Sequence, residues 1–442
     1  MGTAYTFAGA ARLALAVAVL TLLGGCVRGE GGFDVTQMGF GKGQAPADPT
    51  IPALAQAGQS SVLIADLQGR SSILKGSGPY ASVASAVTEA GAGVAAAELR
   101  VARLRAQAAS KNWLPRLSPN ISLTSLGALA ASLIAEQALF DNGRRKAERA
   151  YAAADVEVAA VTLSTEANKR VYDGLKHYLT AERAREQAKV GQRAVTRLAE
   201  FERIMSLRVE GGLSDRSEQR VLSQKLAEMH ATLSSDLEAI DTAMAELGAM
   251  TTRSLGSLTG LQTLAVDKPD PEPLAVLRAR AEGARSVAQA DAAKAEMMPG
   301  LIASASLGTG GLDGGLNAGG GDIGFGSGAK RAALNATSDL VDRRTAQAAE
   351  DSRRRIIALQ NQMQTILSRE AQGAEVLRQT NGNLVMFTEQ YKVGRRSLLE
   401  LVQQYESFAR TERDQVSLKY LAADLRLQIA LERGVLVDGS QL

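Results

Sequence analysis

The chain has 442 residues, a formal net charge of +3 and 4% aromatic residues. Its basic residues are dispersed rather than clustered, which argues against a nucleic-acid partner, and its length suggests about two or three domains. Ala and Gly supply much of the apolar character, a composition that favours close contact between helices over a thick globular core.

The one cysteine, Cys26, excludes an internal disulfide. It closes the segment ARLALAVAVLTLLGGC: an Arg, an apolar run, then small residues. The run has the length of a signal-peptide core and is too short to span a bilayer. Leu23-Gly24-Gly25-Cys26 resembles the bacterial lipobox. That implies a signal peptide over 1–25 and an acylated Cys26 as the mature N-terminus. Val27 follows where Asp would signal inner-membrane retention, so it resembles outer-membrane sorting. Arg12 is the only charge before the apolar run, a departure from the usual pattern, and an ordinary signal peptide with an incidental Cys is the alternative. Residues 26–85 are rich in Gly, Pro, Ser and Gln and read as a largely extended tether.

Prolines fall at 46, 49, 52, 79, 115, 119, 269, 271, 273 and 299. Interior proline breaks helices, so 120–268 and 300–442 are free to form very long ones. KPDPEP (Lys268 to Pro273) reads as a linker. The flanking halves correspond. SKNWLPRL matches AKAEMMPGL around Pro115 and Pro299, and GGLSDRSEQRVLSQKLA matches VGRRSLLELVQQYESFA, with Gly212 over Gly394 and Glu218 over Glu400. Each half, 86–260 and 261–442, reads helix, proline, strand pair, long helix, glycine turn, helix. A repeat this long is a duplicated domain.

The first long helix is expected from Gly143 to about Leu207, where Val158, Val161, Thr165, Asn168, Tyr172, Leu175 and Leu179 keep a heptad-like rhythm. Strands are expected in ISLTSL (121–126), more weakly before Phe140, in LIASASLG after Pro299, and in RAALNATSDL (331–340). The glycine-rich stretch between the last two reads as a flexible loop, without the Lys-Ser/Thr helix start of a phosphate-binding loop. Apolar residues alternating with small polar ones form the membrane-barrel pattern. About four strands per chain fall short of the roughly eight that a single-chain barrel needs. Either these strands lie outside a membrane or several chains share one barrel; three chains would supply about twelve.

Near the C-terminus, YKVGRRSLLELVQQYESFARTERDQV reads helix, turn, helix, with Leu398, Leu401, Tyr405 and Phe408 on one face. A tyrosine, a glycine and two arginines at the tip of a hairpin suggest a surface built for contact. ALFDNGRRKAERAYAAA, GGLSDRSEQ, YKVGRRSLLELVQQ and the proline before each strand pair resemble the TolC-like outer-membrane channel proteins, over nearly everything from about 85 onward. The resemblance implies a mainly α fold with β, in which a long α-helical coiled-coil barrel joins short strand pairs that contribute to a shared trimeric transmembrane β-barrel. It implies a homotrimer in the bacterial outer membrane, extending into the periplasm. Its partners would be outer-membrane lipid, a periplasmic adaptor and an inner-membrane ABC or proton-driven transporter.

In that family a tyrosine and an arginine of one hairpin, bonded to a carboxylate of the other, hold the entrance closed. Tyr391 and Arg396 match the first two and Glu218 matches the carboxylate, where a compared member carries the shorter Asp. Glu400 matches one acid of a cation-binding ring, and Gln403 stands where the second is expected, so this ring carries less charge. Gly212, Leu213, Ser214, Gly394, Arg395 and Ser397 form the expected adaptor-docking tip, with Arg395 a docking or solvent-facing residue. The expected function is a passive export duct, closer in its tip sequences to type I protein secretion than to multidrug efflux. The alternative of another class is a periplasmic adaptor or structural coiled-coil lipoprotein. His177 and His230 show no metal spacing, and no catalytic constellation, cofactor motif or metal set is present in the sequence.

Overall fold

A computed structural model describes residues 61–441 apart from 75, 77, 92, 124–128, 265–270, 309–310 and 322–323; Cys26 and the expected signal peptide lie outside the described residues. Two short helices, α1 (Val62–Gly69) and α2 (Pro79–Glu89), come first. Then one pattern runs twice: α3 (Val94–Ser110), β1 (Arg116–Leu123), β2 (Leu129–Phe140), α4 (Arg144–Glu210) and α5 (Arg216–Ala249), followed by α6 (Leu274–Glu296), β3 (Gly300–Gly308), β4 (Gly311–Gly319), α7 (Ser327–Lys392) and α8 (Leu398–Arg433). The proline-free stretches are thus realised as helices of 67 and 66 residues. Among the described residues no helix is long and apolar enough to cross a membrane.

Two compact units form. The first holds Arg103–Asp155 and Ala284–Leu340; the second holds Ser61–Ala102, Val156–Gly283 and Val341–Leu442. The first contains a four-stranded antiparallel sheet in the order β1-β2-β3-β4. Its register separates the chemistry of its two faces. One face carries the rows Pro119, Leu133, Leu307, Leu312 and Leu117, Ala135, Ala305, Gly314. The other carries Ser118, Ile134, Ser306, Asp313 and Arg116, Glu136, Ser304, Gly315. The leucines of the first face are exposed, as are Ile121 and Leu316. A bulge between Ala138 and Phe140 shifts the register where β2 leaves the sheet.

Two expectations are corrected here. The fourth strand is not RAALNATSDL, which lies in α7, but GLDGGLNAG within the glycine-rich stretch. Its alternation is strict, with Leu312, Leu316 and Ala318 on one face and Asp313 and Asn317 on the other, and the full ladder with β3 compensates the weak strand preference of glycine. Leu334 and Val341, seven apart, follow the helix period instead. Residues 61–85 are not an extended tether but include α1 and most of α2, which bury Leu63, Ile64, Leu67, Tyr80 and Val83. Ser61 caps α1, and Pro79 stands at the start of α2, where its missing N–H costs nothing.

The second unit has its largest core where α2 packs on α4. Tyr80, Val83 and Val87 meet Val171, Leu175 and Tyr178, with Leu247, Leu427 and Leu436 closing the cluster. Tyr80 and Tyr178 meet edge to face at 6.1 Å. A Cβ on Gly174 would come within 2.7 Å of Val87, so the helices approach only because this position lacks one. Val161, Asn168 and Leu175, seven residues apart on α4, are completely buried. Asn168 is the polar member of that seam. Its amide donates to the Ser164 carbonyl at 2.8 Å, and its Oδ1 accepts from the backbone N–H of Leu436 at 2.8 Å and of Val437 at 3.3 Å.

That side chain therefore docks the C-terminal segment. Asn168→Ala would leave two buried N–H groups unpaired, each costing about 1–3 kcal/mol. The variant should lower the thermal midpoint of the purified protein and expose the amides of Leu436 and Val437 to rapid hydrogen exchange. Wild-type protection at both amides would show that Asn168 does not hold the segment.

Candidate gate and docking tips

Both hairpins of the second unit turn by the same device. α4 ends with the Gly212 N–H donating to the Val209 carbonyl at 3.1 Å and the Leu213 N–H to that of Arg208 at 2.7 Å. α7 ends with Gly394 N–H to the Tyr391 carbonyl at 3.0 Å and Arg395 N–H to that of Gln390 at 2.9 Å. These are paired Schellman closures. They need a left-handed residue, supplied by Gly212 at φ 69° and Gly394 at φ 74°. Three residues later each following helix is capped. Asp215 accepts from the Ser217 N–H, and Ser397 forms a full capping box with Glu400. Gly212, Leu213, Gly394, Arg395 and Ser397 are exposed on these turns, and Ser214 is half-buried, accepting from Arg208 Nε at 3.1 Å.

Behind the turns the four helices share one apolar cluster. Leu198, Phe201 and Met205 of α4, Leu222 of α5 and Leu398, Leu401 and Val402 of α8 are buried, with Leu384, Phe387 and Tyr391 of α7 packed against them. Phe201 and Tyr405 meet edge to face at 6.1 Å. The two tips are therefore one assembly. Its chemistry is uneven: Lys392, Arg395 and Arg396 crowd the α7–α8 turn, while Glu210, Asp215 and Glu218 alternate with Arg208, Arg216 and Arg220 around the α4–α5 turn.

Of the expected gate residues, Tyr391 is half-buried in the shared cluster and Glu218 is half-buried in the first turn of α5. Arg396 does not engage Glu218 within the chain. Its Nη1 donates to Glu400 Oε1 at 2.7 Å, its Nε to Gln390 Oε1 at 3.0 Å, and its guanidinium lies 4.6 Å from the Phe387 ring centre. Glu400 is thus a cap and an arginine partner; Gln403 is exposed one turn further along α8. The Ser397 backbone N–H, then the Arg396 guanidinium, hold the Glu400 carboxyl below the usual carboxylate range. Phe387 and Gln390 were not foreseen as Arg396 partners. They lie nine and six residues before Arg396, in the last two turns of α7, a spacing that only a known turn geometry makes meaningful.

Below the tips a ladder of ion pairs fastens α8 to α4 and α5. Lys225 meets Glu406 at 2.6 Å, Arg193 meets Glu412 at 2.6 Å, Lys419 meets Glu186 at 2.9 Å, and Arg413 grips both oxygens of Asp236. These partners stand 177 to 233 residues apart in the chain. α7 is held less firmly. Among its described residues only Ser352, Ile356 and Ile366 are buried.

No family model and no curated protein matches the chain. Solved structures do. The outer membrane protein VceC of Vibrio cholerae is 16% identical, with a TM-score of 0.67 over 86% of this chain and 96% of its own. A membrane protein of Pseudomonas aeruginosa is 13% identical, with a TM-score of 0.71 over 89% and 96%. The open-state MtrE outer membrane channel of Neisseria gonorrhoeae is 15% identical, with a TM-score of 0.67 over 81% and 90%. The class defined here is therefore one of fold: long helical hairpins joined to a short antiparallel sheet. It is the TolC-like fold of outer-membrane channel proteins.

The ladder has one nearly buried rung. Asp236→Ala would leave Arg413 unpaired and should destabilise the protein by about 3–5 kcal/mol, as expected when one partner of a buried pair is removed. Glu412→Ala, which frees the exposed Arg193, should cost about 0–1 kcal/mol. Denaturant titration of both variants checks the ranking, and equal costs would refute it. Glu400 gives a pH dependence. Because its carboxyl is depressed in the fold, its contribution is full above the ordinary carboxylate range and is lost as pH falls through the depressed value. Hydrogen exchange at the Ser397 amide should accelerate on that acid side, and Glu400→Gln should remove the acid dependence.

Proposed function

We propose that three copies of this chain form an outer-membrane channel whose helical hairpins extend into the periplasm as a passive export duct. The sheet carries the reading. Its four strands alternate in direction, so β1 and β4 run oppositely, and copies laid edge to edge continue an antiparallel ladder without interruption. Three copies give about twelve strands, within the range of closed membrane barrels. The exposed apolar face would meet lipid and the polar face would line the lumen. A periplasmic coiled-coil lipoprotein would instead leave that apolar face in water, a patch soluble proteins avoid. Acylated Cys26 would add a second anchor.

The tips serve as gate and docking site for a periplasmic adaptor, itself coupled to an inner-membrane ABC or proton-driven transporter. An exposed ion pair is weak because water screens it, so Arg396 can exchange Glu400 for Glu218 of a converging hairpin at little cost. Tyr391 adds a neutral hydrogen bond. Repeated around an axis, such contacts hold a closed state that an adaptor can still break. Glu400 and Gln403 would line the ring behind the gate. For cargo, YKVGRRSLLEL and GLSDRSE favour type I protein secretion over small-molecule efflux, which identification of the captured inner-membrane transporter decides.

Purified in mild detergent, the protein should have the mass of three chains and form channels in planar bilayers. Removing Tyr391 and Arg396 together should raise single-channel conductance, with Arg396→Lys doing less because Lys lacks the planar fork. A stable, detergent-free monomer would refute the barrel. Wild-type conductance in the double variant would refute the gate alone.

A further inference from the structure

Both outer strands of the sheet are exposed, β1 from Arg116 to Ile121 and β4 from Gly311 to Gly319, whereas β3 between them is mostly half-buried. Each edge carries a blunting device. Pro119 on β1 has no N–H, a residue sheets confine to edges, strand starts and bulges. On β4 the Gly314 N–H is engaged by Asp313 Oδ1 at 3.1 Å. Such devices discourage indiscriminate pairing of an open edge. The edges still have backbone groups to pair, and the geometry of the sheet limits which residues can meet.

Three constraints act on a seam between β4 of one copy and β1 of the next. The first is the separation of faces. A slip by one residue would turn Leu117 and Ile121 to the polar side and Ser118 and Asn120 to the apolar side. Arg116, Ser118 and Asn120 must therefore stand opposite the polar-face positions of β4, which are Asp313, Gly315, Asn317 and Gly319. The second is strand tilt. The row Arg116, Glu136, Ser304, Gly315 crosses one copy, and the β1 residue it meets on the next copy sets the stagger. Meeting Asn120 gives a tilt of about 35°, from a rise of about 3.3 Å per residue and a strand spacing of about 4.8 Å. Membrane strands tilt by about 35–45°. Meeting Ser118 would give only about 19°. The third is ladder length. Meeting Ser122 would give about 46° but would leave Arg116 and Leu117 unpaired, whereas the Asn120 register pairs β1 from end to end.

We propose that β1 of one copy pairs with β4 of the next in this single register, with Arg116 opposite Gly319, Ser118 opposite Asn317 and Asn120 opposite Gly315. The inference rests on the barrel reading above and adds which residues form each seam. On the lipid side Leu117 meets Ala318, Pro119 meets Leu316, and Ile121 covers Gly314. On the lumen side the Asn317 amide already donates to Ser304 Oγ at 3.3 Å, and its carbonyl oxygen accepts from the Ser118 hydroxyl across the seam. The contact is head-to-tail, so it repeats around a ring rather than ending at a pair.

Cys26 is the only cysteine of the chain, so full-length protein carrying Cys26→Ala takes introduced thiols without competition. Directly opposite residues stand within disulfide reach, and residues offset by two along a strand, about 7–8 Å apart, do not. After purification in mild detergent and oxidation, Ser118→Cys with Asn317→Cys should shift most chains to the mass of three on a denaturing, non-reducing gel, and reduction should reverse the shift. Leu117→Cys with Ala318→Cys, on the other face, should behave alike. Linked trimers should conduct as unlinked ones do, because the bond fixes a register already present. Ser118→Cys combined with Gly315→Cys or with Gly319→Cys should stay mostly unlinked. In protein of trimer mass, stronger linking by either slipped pair, covalent dimers from Ser118→Cys or Asn317→Cys alone, or no linking at all would overturn the register and leave the trimer standing. Protein of monomer mass in detergent would sink the barrel reading and the register with it.

Discussion

Backbone hydrogen bonding at the two edges of the sheet constrains everything else in this molecule. A strand edge presents unpaired N–H and C=O groups, and a four-stranded sheet has two such edges however well its interior is laddered. The face opposite the polar rows is apolar and exposed, so water is a poor solvent for it. Both problems have one joint solution in the proposed assembly: copies pair edge to edge, and lipid covers the apolar face. The alternation of strand direction makes that closure possible without a parallel seam. The duplication of a strand pair within the chain supplies the even count that this requires.

The duplication is also visible at the other end of the chain pattern, where two turns share one backbone device and differ in side-chain chemistry. Gly212 and Gly394 close their helices by the same pair of hydrogen bonds, and Asp215 and Ser397 open the next helices at the same offset. The glycines are dictated by φ. The surrounding charges are free to differ, and they do: mixed around one turn, mostly basic around the other. Their shared apolar cluster keeps the tips in register within one chain.

The ion pairs along α8 divide the helices into a fastened set and a looser member. α8 is tied to α4 and α5 by four cross-helix pairs, one of them nearly buried, whereas α7 buries few of its own residues. The exposed face of α7 belongs, in the proposed trimer, to contacts between copies. The Arg396 cluster joins the end of α7 to the start of α8 through exposed, weak bonds. One nearly buried pair thus fastens α8 along its length while only exposed bonds hold its tip, a distribution that suits the proposed gate.

Much of the fold was legible in the chain itself, because it follows from local rules. Proline spacing allowed two very long helices, Gly212 and Gly394 marked the turns, and the seven-residue rhythm of Val161, Asn168 and Leu175 marked the buried seam. Alternation located the sheet but misplaced β4, since glycine reads as a loop wherever no neighbouring strand is known. The extended reading of residues 61–85 failed for a related reason: α1 and α2 are short and their apolar residues count as core only once α4 and α8 lie beside them. Arg396 and Glu400 stand four residues apart, a local spacing already present in the sequence, whereas the pairing of Asp236 with Arg413 was decided by the tertiary structure alone. An ion pair depends on distances across helices, and residues 177 positions apart acquire a distance only when the chain has folded.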